Sequence, residues 1–266
     1  MAGIPKGSEL GSSSFYGTEK NLKEVLARYK VHPADSDFYI RTHKGFLGMI
    51  KGSMREGDVV LDVGCSFGFV TCEIAALYRE AGLNMRLVGI DIDPRQISNA
   101  KAYSESVGID GIEYHVCDAR SLESLFSPEE ISMVVSLYAF HHIPDAEEGD
   151  INQQKRDVLK TLQSLCSEGA RIIIGDVIVP SSYSDRRRYK DELERDWMPL
   201  RLEAAQRVSD AAFEMEKNAT LGVLNRENEF PITLDEYREI LSAAGWVRCS
   251  EKVIEPYMDV ILNYKK

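Results

Sequence analysis

The chain has 266 residues, of which 44% are hydrophobic and 28% charged, and its net charge is −11. It is long enough for one sizeable core and has the composition of a globular protein, while its acidic balance disfavours a nucleic-acid partner, which is usually held by a basic face. The five cysteines (Cys65, Cys72, Cys117, Cys166 and Cys249) are odd in number and form no C-x-x-C pair, so neither a disulfide framework nor a metal site is expected and a cytoplasmic location fits.

The N-terminus, MAGIPKGSELGSSS, reads as a flexible Gly/Ser leader without an apolar signal core. Leu22, Val25, Leu26 and Tyr29 predict a helix over Thr18–Lys30, and Phe46, Leu47 and Ile50 predict a second over Phe38–Met54. Asp58–Val63 is a short apolar run stopped by Gly64, the mark of a buried strand. Phe69–Ala81 follows as a helix, then Arg86–Asp91 as a strand. Asp93–Pro94 combines an N-cap with proline at the first helical position, so a helix starts there and runs to about Val107.

Strands are expected at Ile112–Val116, Ile131–Leu137 and Ala170–Val179, with a helix over Ile151–Ser167 before the last of them. Charged, helical sequence over residues 181–230 breaks the alternation and reads as an insertion after strand 5. Thr233-Leu-Asp-Glu236 is a capping box for a helix ending at Gly245. Trp246–Val253 and Tyr257–Tyr264 then predict two strands joined by a turn at Glu255–Pro256. No apolar run approaches the roughly 18 residues of a membrane span. Strands alternating with helices predict a doubly wound α/β fold with a mostly parallel sheet. Residues 1–55 would form the leader and a helical cap, and residues 56–266 the ligand-binding domain including the insertion.

In such sheets ligands bind at the carboxyl ends of the strands, where strand order reverses. Gly64-Cys65-Ser66-Phe67-Gly68 lies at that point. A glycine-rich turn lets backbone amides approach a ligand, and the next helix offers its N-terminus. Asp91, at the end of the second strand, can accept both hydroxyls of a ribose. Asp118, after the third, can meet the exocyclic amine of a base. Together these strand ends describe an adenosine site. The spacing is wrong for the G-x-G-x-x-G of a dinucleotide site, because the last glycine comes one residue early. The string also matches the G-x-S-x-G elbow of hydrolases, but a triad would need Asp91 or Asp118 with His141 or His142, all before the fifth strand. A bare strand–helix turn is the remaining alternative.

DVVLDVGCSFG, VGIDID, YHVCDA and MVVSLYAFHHIPD, in this order and spacing, resemble the class I S-adenosylmethionine (SAM)-dependent methyltransferases. The resemblance covers about residues 38–266 and implies a seven-stranded sheet, SAM as cofactor and methyl transfer as the activity. Within that family, Tyr39, Gly64–Ser66, Thr71 and Ser132–Val135 look like the carboxy-SAM synthase subgroup. Carried over from it, the cofactor contacts are Tyr39, Gly64, Cys65, Ser66, Asp91, Ile92, Asp118, Ala119 and Leu137, with Gly68 closing the loop. Where that subgroup places an arginine in the insertion, this chain reads Glu216-Lys217-Asn218.

Methyl transfer from a sulfonium needs alignment first, and a base only if the acceptor must lose a proton. His141 and His142, after the fourth strand, are candidates for that base or merely shape the loop. Asp176, near the end of the fifth, either meets the acceptor or is a solvated strand end. Trp197, Met198, Leu200 and Leu202 either line the acceptor pocket or pack the insertion. The expected activity is methylation of a small-molecule acceptor at O, N or C. The alternatives are carboxy-SAM synthesis and a SAM-binding partner subunit without turnover, and a homodimer is compatible with each.

Overall fold

The computed structural model describes residues 37–143, 150–227 and 229–266. The leader and the helix expected over Thr18–Lys30 lie outside the described residues. Seven strands form one sheet: β1 (Asp58–Val63), β2 (Met85–Asp91), β3 (Ile112–Val116), β4 (Ile131–Leu137), β5 (Cys166–Val177), β6 (Val247–Ile254) and β7 (Asp259–Lys265). Their order is β3-β2-β1-β4-β5-β7-β6. The first five run parallel, and β7 is antiparallel to both β5 and β6. The order reverses between β1 and β4, which puts the ligand crevice at their carboxyl ends.

Both sheet faces are buried, so apolar side chains of the central strands point to either side, interrupted by polar positions such as Asp58 and Asp62 in β1 and Ser132 and Ser136 in β4. On one face Leu61, Val63, Val134, Ile172, Ile174 and Leu262 pack with Val158, Leu159 and Leu162 of α4 (Ile151–Leu165) and with Ile240 and Leu241 of α8 (Leu234–Ala243). On the other, Val60, Met133, Val135, Ile173 and Ile261 pack with Phe46 and Ile50 of α1 (Asp37–Lys51) and with Ile74 and Tyr78 of α2 (Phe69–Ala81). Helix α1 thus covers the sheet as part of the main core.

The local signals hold. Asp93 caps α3 (Pro94–Ser106) through its side chain and the Arg95 amide, with proline in the first turn. Both halves of the Thr233–Glu236 capping box are formed at the start of α8. Both ends of β5 shift from the expected Ala170–Val179. β5 begins at Cys166, because Cys166 pairs with Ile131 ahead of an irregularity in the ladder. It ends at Val177, because the amides of Ile178 and Val179 bond instead to Met258 and Ile232.

The insertion consists of α5 (Arg186–Glu192), a π-helical turn (Leu193–Trp197), α6 (Met198–Gln206) and α7 (Asp210–Asn225). It carries a small cluster of its own, in which Tyr189, Leu193, Trp197 and Val223 close on Val179. Arg186, Arg187 and Arg188 are exposed.

Candidate active site

The loop after β1 is shaped for close approach. Gly64 has φ +74°, and a Cβ there would lie 2.4 Å from Cβ of Ala139. Gly68 has φ +81°, and its Cβ would lie 2.6 Å from the Tyr114 hydroxyl. Both positions therefore need glycine for its dihedral freedom and for its missing side chain. The amides of Gly64 and Cys65 both donate to the Ile90 carbonyl, at 2.9 Å each, which ties the loop to β2. Ser66 adopts φ 49°, a left-handed conformation that costs a non-glycine residue energy. Its amide donates to Asp91 Oδ2 at 3.0 Å, while its Oγ is buried without a partner. A buried, unpartnered hydroxyl of this kind is suited to a ligand's polar atom.

Asp91 accepts that bond and a second from the Asp93 amide at 2.9 Å. The residue is only partly covered, but its carboxyl is enclosed by the loop. Burial raises its pKa to about 6, against the lowering effect of the backbone amides. Its oxygens keep lone pairs for hydroxyl donors. Asp118 is already engaged by the amide and guanidinium of Arg120, at 2.8 and 2.9 Å; burial raises its pKa, but these bonds outweigh it and the net shift is downward. Ala119 is partly covered beside it and Ile92 is 44% exposed. Cys65 is buried, and burial pushes its thiol well up, so it offers its backbone rather than nucleophilic chemistry. Glycines that fit only without a side chain, an unpartnered hydroxyl and an enclosed carboxylate suit the adenosine and amino-acid ends of SAM.

Next to this loop, past the end of β4, lies a pocket of about 620 Å³, its open mouth included. Phe38 and Tyr39 of α1, Tyr138 after β4, and Trp197 and Arg201 of the insertion line it. Tyr39 and Tyr138 stack at 5.2 Å between centroids. Tyr138 is held at φ 53°, its amide bonded to the Gly175 carbonyl at 2.7 Å and its hydroxyl donating to Asp259 Oδ2 at 2.6 Å. Arg201 is buried, pairs with Glu216 at 2.6 Å and Asp259 at 2.7 Å, and lies over the rings of Phe38 and Trp197. The indole Nε1 of Trp197 is buried without a partner.

The polar wall is built on the short turn Phe140–His142. Lys155, wholly buried on α4, donates to the carbonyls of Phe140 and Ile143 and so fixes this turn. Burial drags its pKa down to about 7. His141 Nδ1 contacts Asp176 Oδ1, and Asp176 Oδ2 accepts from the Tyr237 hydroxyl at 2.5 Å. On the other side His141 Nε2 lies 3.2 Å from Glu229 Oε2, and His142 Nδ1 lies 3.6 Å from the same oxygen. Burial lowers the His141 pKa, but the two carboxylates prevail and push it to about 10. The two carboxylates thus favour the protonated form of His141.

The structure brings Gly64, Cys65, Ser66, Gly68 and Asp91 together at the ends of β1 and β2, with Asp118 and Ala119 just beyond β3 and Leu137 at the end of β4. Tyr39, His141 and His142 line the neighbouring pocket. Asp176 is 0% exposed, so it is neither a solvated strand end nor a direct acceptor contact; it backs His141. Trp197 lines the pocket, whereas Met198 packs within the insertion and Leu200 against the Phe38 cluster. Glu229, Arg201, Glu216, Tyr138 and Asp259 escaped the sequence reading. Only Tyr138 had a signal, being next to Leu137 at a strand end. The others are isolated polar residues without a motif.

A profile described as "Methyltransferase domain" matches residues 54–245. A carboxy-S-adenosyl-L-methionine synthase from Chromohalobacter salexigens is 25% identical over 210 residues, covering 77% of this chain and 68% of that protein. A sterol 24-C-methyltransferase from Pneumocystis carinii is 29% identical over 133 residues, covering 50% of this chain but only 29% of that protein's length. Among solved structures, a SAM-dependent methyltransferase from Methanosarcina mazei superposes with a TM-score of 0.56 at 19% identity, covering 82% of this chain and 96% of that one. This last likeness speaks for the fold alone.

Proposed function

The chain belongs to the methyltransferase-domain family, with SAM as its cofactor, and on that premise we propose that it methylates a small molecule held in the aromatic pocket beside the Gly64–Gly68 loop. One observation carries the reading. The pocket adjoins the strand ends that fit the cofactor, is shielded by α1 and the insertion, and has one polar wall.

When bound, SAM supplies a methyl group on a positively charged sulfur with a neutral thioether as leaving group. The protein's part is alignment and exclusion of water. Ser66 Oγ, buried without a partner, would meet the amino-acid end, and Asp91 would accept the ribose hydroxyls. Tyr39 and Tyr138 give the pocket a stacked aromatic face. His142 and Glu229 orient the acceptor through its O–H, N–H or activated C–H. His141, held between two carboxylates, keeps Glu229 in place and ionised: burial raises the Glu229 pKa, but both imidazoles outweigh it and the net shift is downward.

The reading is preferred to carboxy-SAM synthesis because of Arg201. It is the guanidinium that the insertion presents to the pocket, and Glu216 and Asp259 already occupy it. It has no bidentate face left for an additional ligand carboxylate. A non-catalytic subunit would have no need of a shielded pocket next to the cofactor. Calorimetry should show one S-adenosylhomocysteine bound per chain, and mass spectrometry of the co-purified ligand should find no carboxylated sulfonium. Absence of S-adenosylhomocysteine binding overturns the proposal.

A further inference from the structure

The polar wall gathers side chains of metal-ligating chemistry. Among the described residues, His141, His142 and Glu229 offer three ligand atoms within 4.8 Å of one another. We propose that these three side chains bind a divalent first-row transition metal ion, zinc or a close neighbour, on the acceptor wall of the pocket.

The spacing is the first argument. A tetrahedral ion about 2.0–2.1 Å from nitrogen and oxygen ligands holds those ligands about 3.3 Å apart. The Glu229 oxygen lies 3.2 Å from His141 Nε2 and 3.6 Å from His142 Nδ1. The two imidazole nitrogens lie within 4.8 Å of each other, and closing that edge is the movement that admits the ion. Its arrival displaces the proton on His141 Nε2, which leaves to solvent.

The support behind the ligands is the second. A metal-binding imidazole usually gives its other nitrogen's proton to a carboxylate, which fixes the ring and its tautomer. Asp176 does this for His141, and is itself held by the Tyr237 hydroxyl. The Phe230 amide donates to the His141 carbonyl at 2.8 Å, which clamps the Glu229 segment to the His141 turn. Lys155 holds the same turn from beneath through two carbonyls. Charge agrees with this. Glu229 and Asp176 place two carboxylates around the site, matching a divalent ion.

The open side is the third. All three ligands line the pocket, so a coordination position faces the cavity, as in catalytic rather than structural zinc sites. Two imidazoles and one carboxylate favour zinc, iron, cobalt or nickel over magnesium or calcium. An acceptor hydroxyl, amine or thiol on that position would become more acidic and be held for attack. That use rests on the function proposed above; the ion's binding does not.

Full-length protein stripped with chelator and titrated with Zn²⁺ alone should bind one equivalent by calorimetry, and Co²⁺ should give the visible bands of a four- or five-coordinate ion. His142→Ala and Glu229→Gln should each weaken zinc binding at least tenfold, and Asp176→Asn by about 10–100-fold. S-adenosylhomocysteine binding without metal checks that each variant is folded. The inference is overturned if the wild-type chain takes up no stoichiometric zinc or cobalt, or if affinity is unchanged in folded His142→Ala and Glu229→Gln. A chain that binds S-adenosylhomocysteine but no metal overturns this inference alone; a chain that binds metal but no S-adenosylhomocysteine overturns the methyl-transfer reading alone.

Discussion

Gly64 and Ser66 both lie in left-handed backbone, but only Gly64 has no room for a Cβ, because Ala139 would stand 2.4 Å away. Gly64→Ala should therefore cost about 1–3 kcal/mol of stability and weaken S-adenosylhomocysteine binding at least tenfold, read by urea unfolding and calorimetry. Asp62, beneath the loop, is 2% exposed and accepts from Thr71 Oγ1 at 2.7 Å. Burial raises its pKa from 3.8 to about 7. The native state thus keeps a proton that the unfolded chain loses near pH 4, so this group's contribution falls as pH rises from 4 to 7. At about 1.4 kcal/mol per pH unit, up to about 4 kcal/mol is involved. Asp62→Asn should flatten the dependence of the urea midpoint on pH over that window; an unchanged slope would count against a buried, ionising Asp62. The loop residues were legible because backbone binding leaves a glycine pattern. Glu229 and Arg201 were not, because a lone buried charge is defined by partners far away in sequence.

Elements decide which residues meet. The π-helical turn Leu193–Trp197 shifts the helical face and turns Trp197 into the pocket, in keeping with the frequent use of such irregularities at functional sites. No period in the sequence announces it. Arg201 on α6 then pairs with Glu216 of α7 within the insertion and ties it to β7 through Asp259, and Asp259 also accepts from Thr42 of α1 at 3.0 Å and from Tyr138. Arg201→Met would leave two buried carboxylates facing each other. It should destabilise the protein by about 3–5 kcal/mol, and it should loosen the pocket more than the cofactor loop. Denaturant unfolding measures the first effect. Hydrogen exchange confined to α1, α6 and α7 at low denaturant measures the second.

At the scale of the molecule, the antiparallel strand β7 lies between β5 and β6 and carries Asp259 at its start. Deleting residues 247–266 should leave β5 as a bare apolar edge and remove the anchor of the insertion. Soluble, monomeric protein after that deletion would contradict this view of the sheet. Exposed edges of this kind promote association, so aggregation in size-exclusion chromatography is the expected result. S-adenosylhomocysteine at 100 times its Kd should add about 2.7 kcal/mol to the stability of the intact chain, visible as a concentration-dependent rise in Tm.

The sequence by itself determined the alternating elements, their caps and the identity of the cofactor, since each depends on residues close together in the chain. Gly64–Gly68, Asp91 and the Asp93–Pro94 start of α3 are read from local pattern and found in place. The tertiary structure alone decided the acceptor side. His141 and His142 were visible as a pair, but Asp176 lies 35 residues from His141 in the chain and Asp259 lies 58 from Arg201. Only folding brings such groups into contact, and only contact changes their chemistry: one sets His141 against a buried carboxylate, and the other pairs Arg201 with Asp259 beside Glu216. The cofactor follows from local spacing, whereas the wall that faces the acceptor is a product of long-range packing.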